Sequence, residues 1–208
     1  MKIFTAFILA LLSFSLLSCN PGPVYVAKGE SDSIKHTYSD KKTQELYNKN
    51  KALFKDIYTR YNSYNVGVYT DGIGITTLDD TNSKEKLHYL MVYVRPMDAS
   101  FDVNSTKPIE RVTRIIRDFV PKHIKTIKSR DLDQDGIEGL AFGIYWAARD
   151  FSQCDTYGGH IEYLYIFFPK NAAKNYLDGK MSLVEAIDQS EVMTSLELKP
   201  AQAIRPVF

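Results

Sequence analysis

The chain opens on an apolar run, Ile3 to Leu17, interrupted only by Thr5, Ser13 and Ser15, with Lys2 ahead of it. The run is shorter than the ~20 apolar residues a spanning helix needs and has a basic start, so it predicts a signal-peptide core. Asn20-Pro21-Gly22-Pro23 ends any helix there, since proline lacks an amide proton and collides with the preceding turn. Residues 19–39 are polar and read as a tether. A helical period then begins. Asp40 is the expected N-cap, and Leu46, Leu53, Phe54, Ile57, Tyr58 and Tyr61 form one apolar stripe. Val66–Thr70 and Ile73–Thr77 alternate as short strands around Asp71-Gly72, a dipeptide that predicts a hairpin turn. Leu78 to Glu85 reads as a polar loop. Leu87 to Arg95 is apolar at both odd and even positions, which predicts a central strand buried on both faces.

The second half repeats this alternation of periods. Pro108 fits the first turn of a helix whose buried stripe is Ile109, Val112, Ile116 and Phe119, and Pro121 is expected to break or kink it. Leu140 to Ala148 predicts a strand with Leu140, Phe142, Ile144 and Trp146 on one face. Ala141, Gly143, Tyr145 and Ala147 occupy the other, where small residues predict the close approach of a helix. His160 to Phe168 follows as an antiparallel neighbour. Short helices at Ala172–Leu177 and Leu183–Gln189 and a strand near Met193–Leu198 complete the pattern. The order of elements predicts a single α+β domain over residues 40–208, a mostly antiparallel sheet with helices packed on it.

Composition adds location. Residues 1–18 carry one basic residue, Lys2, and no acid, so removing them turns 26 Lys+Arg against 25 Asp+Glu into 25 against 25. A neutral chain does not suggest a nucleic-acid partner. The chain has two cysteines, and one of them, Cys19, ends the apolar run. Leu16-Leu17-Ser18-Cys19 resembles the lipobox of bacterial lipoproteins: Leu16 stands at the aliphatic position, Ser18 at the small one and Cys19 at the lipidated one. Ser18-Cys19-Asn20-Pro21 is by contrast a poor site for the ordinary signal peptidase. The resemblance implies a diacylglyceryl group on Cys19, cleavage before it, usually a further acyl chain (palmitate in type) and hence a stable membrane anchor. Asn20 is not the aspartate that signals inner-membrane retention, which favours the outer membrane, on its periplasmic face or exposed at the surface. Cys154 is then left without a partner in the chain, so no disulfide framework is expected.

Three segments carry candidate chemistry. Asp131-Leu132-Asp133-Gln134-Asp135-Gly136-Ile137-Glu138 resembles the opening of EF-hand and dockerin calcium loops. The resemblance implies Asp131, Asp133, Asp135, the Ile137 carbonyl and Glu138 as ligands of a structural calcium ion. The twelfth position of that pattern is Phe142 instead of an acid, so a looser loop and a plain solvated turn are both compatible with the residues. Cys154 and His160, spaced around Gly158-Gly159, supply a thiol and a base and make a cysteine-dependent hydrolase or transferase the enzymatic alternative, though such pairs are assembled by folds and not by proximity in sequence. Arg111, Arg114, Arg117, Lys122, Lys125, Lys128 and Arg130 give the second helix and its continuation a basic character suited to an anionic surface or to simple solvation. None of these names a reaction. The expectation is a lipid-anchored envelope protein with a binding or structural role, its partner another envelope protein or a host component.

Overall fold

The computed structural model describes residues 36–62, 66–79, 85–96, 98–152 and 159–206. They form one α+β domain: a seven-stranded mixed, mostly antiparallel sheet with helices packed on it. The strands are β1 (Val66–Asp79), β2 (Lys86–Pro96), β3 (Ser100–Asp102), β4 (Gly139–Arg149), β5 (His160–Pro169), β6 (Glu191–Ser195) and β7 (Gln202–Ala203). Their order is β1-β2-β4-β5-β6-β7, with β3 also on β4. β2 and β3 run parallel to β4; every other pairing is antiparallel. Among the described residues no helix is long and apolar enough to cross a membrane.

The helical starts follow their local chemistry. Asp40 caps α1 (Lys41–Lys49), its carboxylate accepting from the Thr43 amide at 2.8 Å and the Thr43 hydroxyl at 2.6 Å. The expected single helix is divided at Asn50, whose side chain donates to the Leu46 carbonyl at 2.9 Å, and α2 (Lys51–Asn62) continues beyond it. At α3 (Pro108–Arg114), Glu110 reaches back to the Lys107 amide at 3.1 Å. Pro121 does not end this helix. The chain widens into a π-turn over Ile115–Phe119, where the Val120 amide donates to Ile115, and resumes as α4 (Val120–Ile124). A proline ring collides with the carbonyl four residues back, and the widened turn absorbs that conflict. α5 (Lys170–Leu177) and α6 (Leu183–Asp188) follow β5; Ser182 and Glu185 form a reciprocal capping box at the start of α6.

Two expectations are corrected. Asp71-Gly72 makes no hairpin. Val68 pairs with Val94 and Ile73 with Val92, so both halves of β1 run along β2 in one direction and residues 69–72 form a bulge. The long β2 offers ladder partners to both halves, which the two short segments cannot offer each other. Among the described residues the small residues of β4 receive no helix either. Leu140, Phe142, Ile144 and Trp146 face the helices, within one core that also takes in Leu90, Val92 and Val94 of β2, Leu164, Ile166 and Phe168 of β5, and Ile57 and Tyr61 of α2. All helical residues of this core lie on that one side of the sheet.

His123 of α4 is buried in this layer, stacked on Phe119 and with its Nε2 unpartnered among the described residues. Burial holds its pKa down at about 4, with Lys122 adding to the effect. The unfolded chain therefore binds a proton between pH 6.5 and 4 that the folded chain refuses, and stability falls as pH drops through that window, by on the order of 3 kcal/mol. His123→Phe should reduce this loss; urea unfolding at pH 7 and pH 4.5 compares the two proteins, and equal acid losses would contradict the assignment.

Candidate functional site

The other face of the sheet is built from a different alphabet. Along it lie Tyr89 and Tyr93 of β2, Ala141, Gly143 and Tyr145 of β4, Tyr163, Tyr165 and Phe167 of β5, and Met193 of β6, placed side by side by the strand register. A second, smaller cluster forms here around Tyr89, Ala141 and Phe167. Tyr165 stacks on Tyr93 and on Tyr163, each with ring centroids 4.6 Å apart, and meets Tyr145 edge-on at 5.8 Å. The Tyr145 and Tyr165 hydroxyls are hydrogen-bonded to each other. Gly143 makes this possible. A Cβ there would fall 2.6 Å from the Tyr93 ring and 2.7 Å from the Tyr165 ring, so its absence lets both rings lie over the central strand. Burial pushes the Tyr165 hydroxyl up to about 12 and the Tyr93 hydroxyl further, so these two phenols are neutral at physiological pH. Tyr93, Tyr145, Tyr163 and Tyr165 are half-buried: the rings pack on one another and keep one side toward solvent.

At one end of this face β4 changes partner. It pairs with β2 as far as Val94–Ile144 and with β3 from Ser100–Ala147 onward. A cavity of about 360 Å³ lies at the change, lined by Arg95, Ser100, Ala147, Arg149, His160 and Ile161. Gly159 lies so near β4 that a Cβ would sit 2.9 Å from Arg149 Cβ, and this close approach brings His160 to the rim.

Beneath the rim is a charge excluded from water. Glu162 is fully buried on the helix face of β5 and accepts five hydrogen bonds: Arg111 Nη2 at 2.7 Å, Arg111 Nε at 2.8 Å, Trp146 Nε1 at 2.8 Å, the Glu197 amide at 3.1 Å and His160 Nε2 at 3.2 Å. Arg111, itself 1 % exposed, spends Nη1 on the Thr106 carbonyl at 2.6 Å. Burial pushes the Glu162 pKa up, yet the bonds from Arg111, the Glu197 amide, Trp146 and His160 together hold it below the ordinary carboxylate value. The Glu197 amide reaches Glu162 from a turn in which Glu197 and Leu198 both take left-handed conformations, φ 53° and 60°, an unfavourable choice for side chains of this size.

The residues expected to carry chemistry are distributed differently. Cys19 and Cys154 lie outside the described residues. His160 is committed through Nε2 to Glu162. The aspartate loop is a structural clamp. Asp131 is buried and pairs with Arg60 of α2 at 2.7 Å while accepting the Lys128 amide at 2.8 Å. Asp133 pairs with Lys174 of α5, and Asp135 with Lys49 of α1 at 3.2 Å. Gly136 takes φ 78°, as the sharp turn requires, and Glu138 and Ile137 lead into β4, Ile137 buried and Glu138 exposed. Three carboxylates are thus engaged by three cations on three helices. The basic helix face is thinner than the sequence implied, because Arg111 turns inward while Arg114 and Arg117 stay exposed. The Glu162 network was missed at the sequence level, although a carboxylate in phase with Leu164, Ile166 and Phe168 is the signal that marks it.

No protein-family model, curated protein or solved structure matches this chain.

Removing Glu162 alone strands the Arg111 charge in the core. Glu162→Gln is expected to cost about 3–5 kcal/mol, and the double change Arg111→Met with Glu162→Leu to cost less than the single one. Urea unfolding measures both, and a loss below about 1 kcal/mol for Glu162→Gln would show that the network is dispensable.

Proposed function

We propose that the protein is a lipid-anchored binding module of the bacterial cell envelope, tethered through Cys19 and meeting its partner with the tyrosine face of the sheet. The observation that carries this reading is the division of the sheet. Every helix among the described residues contributes to the core on one side, while the other side is covered by its own aromatic side chains. A protein that needed this face only for stability is better served by phenylalanine or leucine under a helix. Tyrosine instead offers large, stiff contact area with a hydroxyl at the water boundary, the combination enriched at recognition surfaces.

The neutral charge of the mature chain and its single remaining thiol fit a module that acts by surface contact, and the tether of residues 19–39 gives the domain lateral freedom over the membrane. Two acyl chains or more on Cys19 hold it there stably.

The test places a photo-crosslinking benzophenone amino acid at Tyr163, on the proposed contact face, or at Lys125, exposed on the helix side, in the lipidated protein in living cells. Discrete crosslinked products are expected from position 163 and not from 125, and they should weaken when Cys19→Ala frees the domain. Products from 125 alone, or identical products from both positions, would overturn the reading.

A further inference from the structure

We propose that the cavity between α6 and the segment after β7 is a binding site for a small zwitterion. The ligand class is a free α-amino acid with an apolar side chain, its ammonium group held by Asp188 and its carboxylate by Arg205. The site is separate from the tyrosine face and does not depend on it.

Three elements build the walls. The cavity, of about 440 Å³, is lined by Ile187 and Asp188 at the end of α6, by Val192 of β6, and by Ile204 and Arg205 after β7. The sheet ladder sets the last segment in place: Met193 pairs with Ala203, and the Ile204 amide donates to the Val192 carbonyl at 2.9 Å. Backbone bonds therefore carry Arg205 to the cavity, and its side chain is not spent on getting there. Ile187 and Val192 are buried members of the main core and Ile204 packs against it, so the floor is apolar.

Charge decides the kind of ligand. Among the described residues neither Asp188 nor Arg205 has a hydrogen-bond or ion-pair partner, and although they line one cavity they do not pair with each other. A ligand of a single sign meets one of them as a repulsion, whereas a molecule with both signs satisfies both. Two further acids stand close in sequence, Glu185 and Glu191, and neither lines the cavity. Glu185 accepts the Ser182 amide at the opposite end of α6, and Glu191 lies on the other face of β6 from Val192. Asp188 is also placed against local preference. The last turn of a helix ends in carbonyls of partial negative charge and favours a cation there; α6 has no basic residue in that turn and closes on this acid.

Size and floor define the rest of the ligand. The forked donors of Arg205 match a carboxylate, and the carboxylate of Asp188 attracts an ammonium group. A free α-amino acid carries both groups on one carbon and leaves its side chain to meet Ile187, Val192 and Ile204. About 440 Å³ lies toward the small end of organic-ligand sites, which suits a single amino acid better than a long peptide. Affinity then grows with the apolar area the side chain buries, so leucine and phenylalanine rank above glycine.

Calorimetric titration of the purified lipidated protein, in a nonionic detergent, with leucine, phenylalanine, glycine, N-acetylleucine and leucinamide tests this. Leucine or phenylalanine is expected to bind, and glycine more weakly. N-acetylleucine, which lacks the ammonium charge, and leucinamide, which lacks the carboxylate, should each bind about tenfold or more weakly than leucine, the scale of one charge-assisted contact. Asp188→Asn and Arg205→Gln change exposed side chains and should leave the melting midpoint in place. Asp188→Asn should no longer distinguish leucine from N-acetylleucine, and Arg205→Gln should no longer distinguish leucine from leucinamide, a pairing of variant with ligand group that a general loss of fold does not produce. Absence of binding by both leucine and phenylalanine at millimolar concentration would overturn the site. So would glycine binding as tightly as leucine, blocked ligands that bind like leucine, or variants that bind all five probes like the wild type.

Discussion

A carboxylate without access to water governs the arrangement of this domain. Moving such a group out of water costs several kcal/mol, and only a complete set of donors offsets that cost. Glu162 obtains its set from parts of the chain that are remote in sequence: Arg111 on α3, Trp146 on β4, the Glu197 amide after β6, and His160 on its own strand. Each donor fixes something larger than itself. Arg111 sets the rotation of α3 against the sheet. The Glu197 amide requires the left-handed pair Glu197–Leu198, and so decides where β6 ends and how the chain turns toward β7. Hydrophobic contacts tolerate small shifts of such elements; five directional bonds to one carboxylate tolerate very few.

The second constraint is the asymmetry of the sheet. On the helix side the strands present bulky aliphatic and aromatic groups, and Trp146 is fully buried there, with its indole N–H given to Glu162. On the other side glycine and alanine of β4 lower the floor so that tyrosines from β2 and β5 fold over it. Among the described residues the tyrosines thus take the place that helices hold on the opposite side, and because their outer sides stay wet, they remain available for contact. The cavity belongs to the same plan. It opens where β2 leaves β4 and β3 takes its place, and the His160 that borders it is held by Glu162. One buried carboxylate therefore connects the packing of the helices to the rim of this cavity.

Much of this architecture was legible in the residues. Asp40 and Ser182 cap the helices their chemistry announces, and Leu87 to Arg95 is the central strand that two-sided apolarity requires. These features depend on neighbours a few positions away. What stayed hidden depends on distant partners. Asp71-Gly72 looks like a hairpin turn until β2 is known to pair with both flanks. Ala141 and Gly143 look like a helix seat until the rings of Tyr93 and Tyr165 are placed over them. Asp131, Asp133 and Asp135 read as one acidic cluster because they are close in sequence; the cations that engage them, Arg60, Lys174 and Lys49, come from three separate helices that local sequence does not reveal. Of the candidate catalytic pair, only His160 is placed, and the partner that the structure gives it is Glu162.

The account stands on the claim that one side of the sheet is open and aromatic while the other is sealed by helices. Hydroxyl-radical footprinting of the intact lipidated protein measures this residue by residue. Oxidation of Tyr93, Tyr145, Tyr163 and Tyr165, with protection of Tyr58 and Tyr61 beneath the helices, is the expected result. Equal protection of both sets would contradict it, because the tyrosine face would then be covered and unable to meet a ligand.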